Sequence, residues 1–343
     1  MKSLWNDKDA KKHGKSALAK RVYSSQLLGS NPDLVLHGGG NTSVKIKKKD
    51  FFGSYKEYLY VKGSGCDLAT ITENDFSACD MHDLISLSEM ETLSDTDMVN
   101  QCRASMLDPN SSTPSIEAIV HAVIPSKYVD HTHADSILGL TNCPNGRKNI
   151  SEVFGDSVIV VPYVMPGFDL AREVKKKIQK SNLDKIEGMI LMNHGIFTFD
   201  DDPRLSYEKM IRLVSRAERF INKKIGKKKA PISKLQNISP NELSQLRKVV
   251  SDWRGHPVIA SLDNDNESSQ FACLKNVKAI STRGPLTPDH VIRTKRIPAI
   301  IESNVIGSID KYVEKYTKYF NQYASDSLTM LDPSPRWAVW PDK

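Results

Sequence analysis

The chain has 343 residues, 39% hydrophobic and 26% charged, with a formal net charge of +7. That is enough for one large domain or two modest ones with a real core, the composition is that of a soluble globular protein, and no apolar run approaches membrane-spanning length. Five cysteines, an odd number with no C-x-x-C pair, indicate neither a disulfide framework nor a cysteine zinc knuckle; with a start that lacks a secretion signal, they lead to the expectation of a cytoplasmic protein.

The positive excess comes from lysine runs at 45–49, 175–177 and 223–229, read as solvated helix faces and loops. No aromatic residues are interleaved with them as a base-stacking surface requires, so neither nucleic acid nor membrane is an expected partner. Steering of an anionic small molecule, such as a sugar phosphate, suits a charge of this sign.

In chain order, 11–29 reads as a first helix carrying Ala17, Leu18, Val22 and Leu27 at helical spacing. Residues 35–37 are strand-like and run into Gly38-Gly39-Gly40-Asn41-Thr42-Ser43. Residues 58–61 form a second strand, running into Lys62-Gly63-Ser64-Gly65. Gly-rich turns after strands can present backbone N–H groups to an anion, although most serve chain reversal. Residues 74–88 read as partly helical and 101–110 as loop. Ser115 is a candidate N-cap with Glu117 in the first turn, where the helix dipole favours its ionised form. Glu117 and His121, four apart, share one helix face. The segment 128–133 is a strand, followed by a helix opening at 134. A buried strand spans 158–163, and Asp169 caps a helix with Leu170, Val174 and Ile178 on one side. Residues 188–192 and 196–199 form a hairpin with His194 at its tip. A long amphipathic helix over 205–225 buries Met210, Ile211, Val214, Ala217 and Ile221.

The Lys-Lys-Lys-Ala-Pro run at 227–231 is the best boundary, giving a catalytic domain 1–228 and a C-terminal α/β extension 229–343. Ser239-Pro240-Asn241-Glu242 is a capping box that opens a helix reaching about residue 253. Short strands and turns are expected over 270–301. A helix over 308–323 carries a packing stripe of Tyr312, Tyr316, Tyr319 and Tyr323. The tail from 332 onward is extended and Pro-rich.

The chemistry concentrates in Tyr128-Val129-Asp130-His131-Thr132-His133. Side chains two apart on a strand point to one face, so His131 and His133 project side by side. A third imidazole, His194, and the carboxylate of Glu117 complete a ligand set for a divalent metal, zinc being the first expectation, that leaves room for substrate. A lone histidine is usually structural; the pair at strand spacing with these companions argues for a metal. A hydroxy-ketone bound there would be acidified next to its carbonyl, and a carboxylate released from the metal would move the proton.

Taken in order, Gly39-Gly40-Asn41-x-Ser43, Lys62-x-Ser64-Gly65, Ser115-x-Glu117-x-x-x-His121, His131-x-His133 and Asn193-His194-Gly195 resemble the class II aldolase/adducin family over roughly residues 15–225. The tail motif from Arg283 to Lys295 and the Pro-rich 332–336 resemble the aldolase half of bifunctional rhamnulose-phosphate aldolase/short-chain alcohol dehydrogenases. No G-x-G-x-x-G follows that tail, so dehydrogenase activity is not expected of this chain. The resemblance implies a three-layer α/β/α fold with a central, largely antiparallel sheet, and a homo-oligomer with a tetramer favoured. It implies His131, His133 and His194 as metal ligands, joined by Glu117, which is also the acid/base. It implies Asn41, Ser43, Gly63, Ser64 and Ser115 as substrate and phosphate contacts. Gly39 stands where many relatives have Ser, and Ile116 where several have a second Ser, so two hydroxyl donors are absent. The family's tyrosine acid matches no motif here; Tyr163 is the candidate. The expected activity is cleavage of a ketose 1-phosphate, such as rhamnulose 1-phosphate, to dihydroxyacetone phosphate and an aldehyde through a metal-stabilised enediolate. Epimerase, dehydratase or decarboxylase chemistry on the same site is the alternative, and a metal-free adducin-like binding scaffold is the third reading.

Overall fold

The structure, a computed structural model, describes residues 1–226, 236–325 and 328–343. The expected boundary at 227–231 lies outside the described residues. The chain divides into two compact units: Met1–Gly226 with Leu286–Asp289, and Lys227–Pro285 with His290–Lys343.

The first unit is built on a seven-stranded sheet. Its strands are β1 (Asn41–Lys49), β2 (Tyr55–Lys62), β3 (Phe76–Asp80), β4 (Tyr128–Thr132), β5 (Val158–Val161), β6 (Gly188–Leu191) and β7 (Gly195–Asp200). Their order across the sheet is β3-β2-β1-β4-β7-β6-β5, and every neighbouring pair is antiparallel except β5 with β6. The expected central, largely antiparallel sheet is therefore what the chain forms. Alternation along β4, β6 and β7 sends Val129, Met189, Leu191, Phe197 and Phe199 into one core, under the helices Met81–Ser88, Ala118–Val123 and Phe168–Gln179. Ile190 and Ile196 point to the other face, where Asp135–Thr141, Gly146–Phe154 and Pro203–Ile225 cover them. The predicted stripe of that last helix is buried through Met210, Ile211, Val214 and Ala217.

Several local expectations change. Residues 35–37 are loop, with His37 at φ 27°. The strand starts at Asn41 and runs through the lysines, so Asn41 and Ser43 lie on β1 and not in a turn. Lys45 is buried: its Nζ donates to the carbonyls of His121 at 3.1 Å and Ser126 at 2.8 Å, and to that of Ile124, covering carbonyls at the end of Ala118–Val123. A lysine run that reads as solvated thus conceals a central strand. Residues 11–29 form two helices, Asp7–His13 and Ala17–Gly29, parted at Gly14. The 74–88 stretch supplies β3 before its helix, and Asp95–Ala104 extends into the stretch expected to be loop.

The second unit packs Val249, Ala299, Ile301, Val305, Ile309, Tyr312 and Val313 together. The capping box at Ser239 and Glu242 starts the helix Pro240–Arg254, and a second long helix spans Val305–Tyr323. Two short strands, β8 (Ala299–Ile300) and β9 (Ala338–Val339), pair in parallel. Over 270–301, expected as short strands and turns, β8 forms at the end, but helices Asn266–Ala272, Val277–Ser281 and Pro288–Thr294 take up much of the rest. Tyr312 is buried while Tyr323 is exposed, so the tyrosine stripe is core only at its N-terminal end. Among the described residues, no helix is long and apolar enough to cross a membrane.

Candidate metal centre

The centre is built where β4 ends. Val129 and His131 face the first core, while Asp130 and Thr132 face the helix Pro203–Ile225. The His131 ring stacks on Phe197 of the paired strand, with centroids 4.1 Å apart. His133 follows the strand end and meets His131 at 3.0 Å between their Nε2 atoms. The β6–β7 hairpin delivers His194: Asn193 turns the chain with φ 60°, a conformation that Asn tolerates. Gly195 permits the approach, because a Cβ there would lie 2.4 Å from Thr132 O and 3.0 Å from His131 Cε1. One ligand nitrogen from each of His131, His133 and His194 then falls within 4.8 Å of the others, and all three residues are buried.

The outer nitrogens fix the tautomers. His131 Nδ1 lies 3.0 Å from Ile196 O, which can only accept, so Nδ1 carries the proton. His133 Nδ1 lies 2.6 Å from the Asp289 carboxylate and donates to it. In the neutral rings, both Nε2 atoms then present lone pairs to each other with no hydrogen between them. Burial pulls the pKa of His131 well below its usual value, helped by the neighbouring His133, and burial brings His194 down to about 3. Neutral imidazoles with convergent lone pairs are what a divalent ion requires. A tetrahedral ion about 2.0–2.1 Å from each nitrogen sets them about 3.3 Å apart, close to the 3.0 Å between the Nε2 atoms of His131 and His133. Two further buried atoms at this site lack hydrogen-bond partners: His194 Nδ1 and Glu117 Oε1. The residues present fit a divalent metal.

Glu117, and not the expected Ser115, is the N-cap of Ala118–Val123, so the helix starts two residues later than expected; Ser115 Oγ accepts from Glu117 N at 3.3 Å. A hydrogen-bond chain orients it. The Ser43 hydroxyl meets His121 Nδ1 at 2.7 Å, His121 Nε2 reaches Asn41 Oδ1, and Asn41 Nδ2 donates to Glu117 Oε2 at 2.7 Å. Since Asn41 Oδ1 accepts, His121 Nε2 carries the proton and Nδ1 accepts from Ser43. Burial also holds the His121 pKa well below its usual value, which suits this neutral form. Glu117 Oε2 lies 3.4 Å from His131 Nε2, and its partnerless Oε1 lies 3.5 Å from His194 Nε2.

The structure gathers Glu117, His131, His133, His194, Asn41 and Ser115, and puts Ser43 behind them. Asn41 uses its amide on Ser115 and Glu117, and Ser43 is fully buried against His121. The turn N–H groups are also engaged: Gly39 with Leu36 O, Gly63 with Asp75 O, and Ser64 with Thr113 O. The side chains left facing outward at this edge are those of exposed Ser64 and exposed Ile116. Tyr163 is exposed, and its hydroxyl lies against Met165 Sδ at 3.7 Å.

Three functional candidates escaped the sequence reading. His121 was legible only as a companion of Glu117 on a helix face, whereas it links Ser43 to Asn41. Lys62, inside a quoted motif, is buried and ties the two Gly-rich turns by donating to Gly38 O at 2.8 Å and Cys66 O at 2.7 Å. Asp289, inside the tail motif, reaches His133 from 156 residues away.

Residues 20–221 match the class II aldolase and adducin N-terminal domain, and residues 237–343 match the second domain of class II aldolase. A protein of Bacillus subtilis (strain 168) named as an uncharacterized oxidoreductase, YuxG, is 30% identical over 362 residues, covering 99% of this chain and 52% of its own. The chain thus spans about half the length of that curated relative. Among solved structures, the N-terminal class II aldolase domain of a conserved protein from Thermoplasma acidophilum matches with 40% identity and a TM-score of 0.59, covering 64% of this chain and 99% of that one. L-fuculose-1-phosphate aldolase from Thermus thermophilus matches with 15% identity and a TM-score of 0.40, covering 61% and 97%.

Proposed function

Because the chain belongs to the class II aldolase and adducin family, we propose that it is a divalent-metal-dependent aldolase acting on a ketose 1-phosphate, with rhamnulose 1-phosphate as the leading substrate and dihydroxyacetone phosphate and an aldehyde as products. The observation that carries this reading is the buried, partnerless Glu117 Oε1 beside three convergent histidines. His131, His133 and His194 would hold the ion, zinc being the first choice for such a donor set. When bound, the ion supplies Lewis-acid polarisation of the substrate carbonyl.

Glu117 does the proton work. Breaking the C–C bond leaves its electron pair on the ketone fragment, which must take a proton at carbon. The new aldehyde forms as its hydroxyl gives a proton up. Oε1 faces the histidines without a partner, so it is free to accept and return that proton, while Asn41 holds Oε2 in place. His121 and Ser43 act through Asn41 and touch no substrate in this reading. Ser64 and Ser115, with the turn at Gly63 tied by Lys62, form the side that takes the phosphate, Asn41 and Ser43 shaping it from beneath. Residues 1–228 carry the chemistry, and the assembly is a cytoplasmic homo-oligomer, tetramer favoured.

A retro-aldol assay over a panel of ketose phosphates and free ketoses, with and without chelator, tests this. Aldehyde release abolished by chelator and restored by zinc is the expected result. Metal-dependent turnover without C–C cleavage would replace it with epimerase, dehydratase or decarboxylase chemistry, and a metal-free inert protein would leave the binding scaffold.

A further inference from the structure

His133 differs from His131 in what holds its outer nitrogen. His131 Nδ1 donates to a neutral backbone carbonyl, whereas His133 Nδ1 lies 2.6 Å from Asp289 Oδ1. Asp289 is 3% exposed, and its other oxygen accepts from Leu36 N at 3.0 Å, so the loop before β1 clamps the carboxylate. The segment Leu286–Asp289 belongs to the first compact unit. Asn142 donates to Leu286 O at 2.9 Å, and the same Asn142 accepts from Asn193 in the turn that carries His194. The segment that presents Asp289 is therefore linked to the turn that presents another of the three histidines.

Gly39 completes the arrangement. A Cβ at position 39 would lie 1.7 Å from Asp289 Oδ1 and 2.3 Å from its Cγ. The carboxylate occupies the volume that any side chain at position 39 would need.

We propose that Asp289 is a positioning residue of the metal site, and that the glycine at position 39 is the condition for its presence. The carboxylate holds the His133 Nδ1 proton, turns Nε2 toward His131 and makes the ring a stronger electron donor to a divalent ion. This rests on the reading of the three histidines as a metal site, and not on the identity of the sugar.

The test is zinc affinity of the full chain, measured by competition with a chromophoric chelator, with the unfolding midpoint of each metal-free variant recorded beside it. Asp289→Asn keeps the size and loses the charge; zinc affinity should fall roughly 10–100-fold, the usual cost of losing such an outer partner. Gly39→Ala should show a fall of the same order by displacing the carboxylate. In an Asp289→Ala background, where the volume is vacant, adding Gly39→Ala should cost nothing further. The absorption bands of the cobalt-loaded protein should shift in Asp289→Asn, because the ligand field at His133 changes. Wild-type zinc affinity in both Asp289→Asn and Gly39→Ala would overturn the proposal. So would a loss of affinity that merely tracks an equal loss of stability in the metal-free variants. A wild-type chain that binds zinc, loses it in Asp289→Asn and cleaves no ketose would sink the aldolase reading and leave this one standing. A wild-type chain that binds no divalent ion would remove both.

Discussion

The two faces of β4 carry the same kind of residue to opposite ends. On one face, Asp130 is fully buried and completely satisfied: it pairs with Arg21 and accepts from Ser206. Arg21 in turn reaches Ser24 at 2.7 Å and the carbonyls of Ser43 and Val129 at 3.4 Å. On the other face, one residue along, the Nε2 atoms of His131 and His133 face each other at 3.0 Å, and Glu117 Oε1 and His194 Nδ1 have no hydrogen-bond partner. Burying polar groups is costly unless they are paired, so a cluster paired to completion is scaffold. A cluster at the end of the same strand, with ligand atoms converging and two acceptors unpaired, fits a divalent cation. Alternation by single residues lets one strand serve both purposes.

The widest separation between the faces is expected for Glu117→Gln. Turnover should fall roughly 10²–10⁴-fold, the usual range for losing a general acid/base. The unfolding free energy should stay within about 1 kcal/mol, because Asn41 can still bind the amide oxygen. Near wild-type turnover would reduce Glu117 to a helix-start residue. Asp130→Ala is the mirror experiment. It leaves Arg21 buried and unpaired, so urea unfolding should show a loss of about 3–5 kcal/mol. A loss below about 1 kcal/mol would mean that the pair is not the scaffold described.

Acid should act next, on the metal-free protein. His121, His131 and His194 are all held neutral by burial, with folded pKa values below the ordinary 6.5. Above that pH neither state binds the extra proton, and these groups do not alter stability. As pH falls through 6.5, the unfolded chain takes up protons that the folded one refuses. Stability then drops by about 1.4 kcal/mol per pH unit for each histidine. The contribution from His194 levels off near pH 3. His121→Gln should remove about one proton from the slope; an unchanged slope would place His121 outside the titrating set. The smallest effect belongs to Ser64→Ala, at the exposed edge. A several-fold rise in KM for a phosphorylated ketose, with the free ketose unaffected, is expected from one lost hydrogen bond of about 0.5–1.5 kcal/mol. Equal KM values for both would move the phosphate elsewhere.

What could be read in the sequence follows this division. The His131 and His133 pair was legible because a strand has a strict period of two, and the hairpin tip because Asn193 and Gly195 flank His194 with turn chemistry. Strand β1 was not, since Lys45 is buried by turning its ammonium onto three carbonyls, a contact no local pattern encodes. Asp289 was visible only as a letter in a tail motif. Its partner lies 156 residues earlier, and the glycine that makes room for it lies earlier still. The short helices of 266–281 escaped because five to seven residues carry too few turns to show a period.

Whether His131, His133 and His194 hold one divalent ion is tested most directly by elemental analysis of the purified chain beside His131→Ala and His133→Ala. About one ion per wild-type chain, zinc before other metals, with most of it lost in each variant, is the predicted result. Full metal retention in both variants would contradict it.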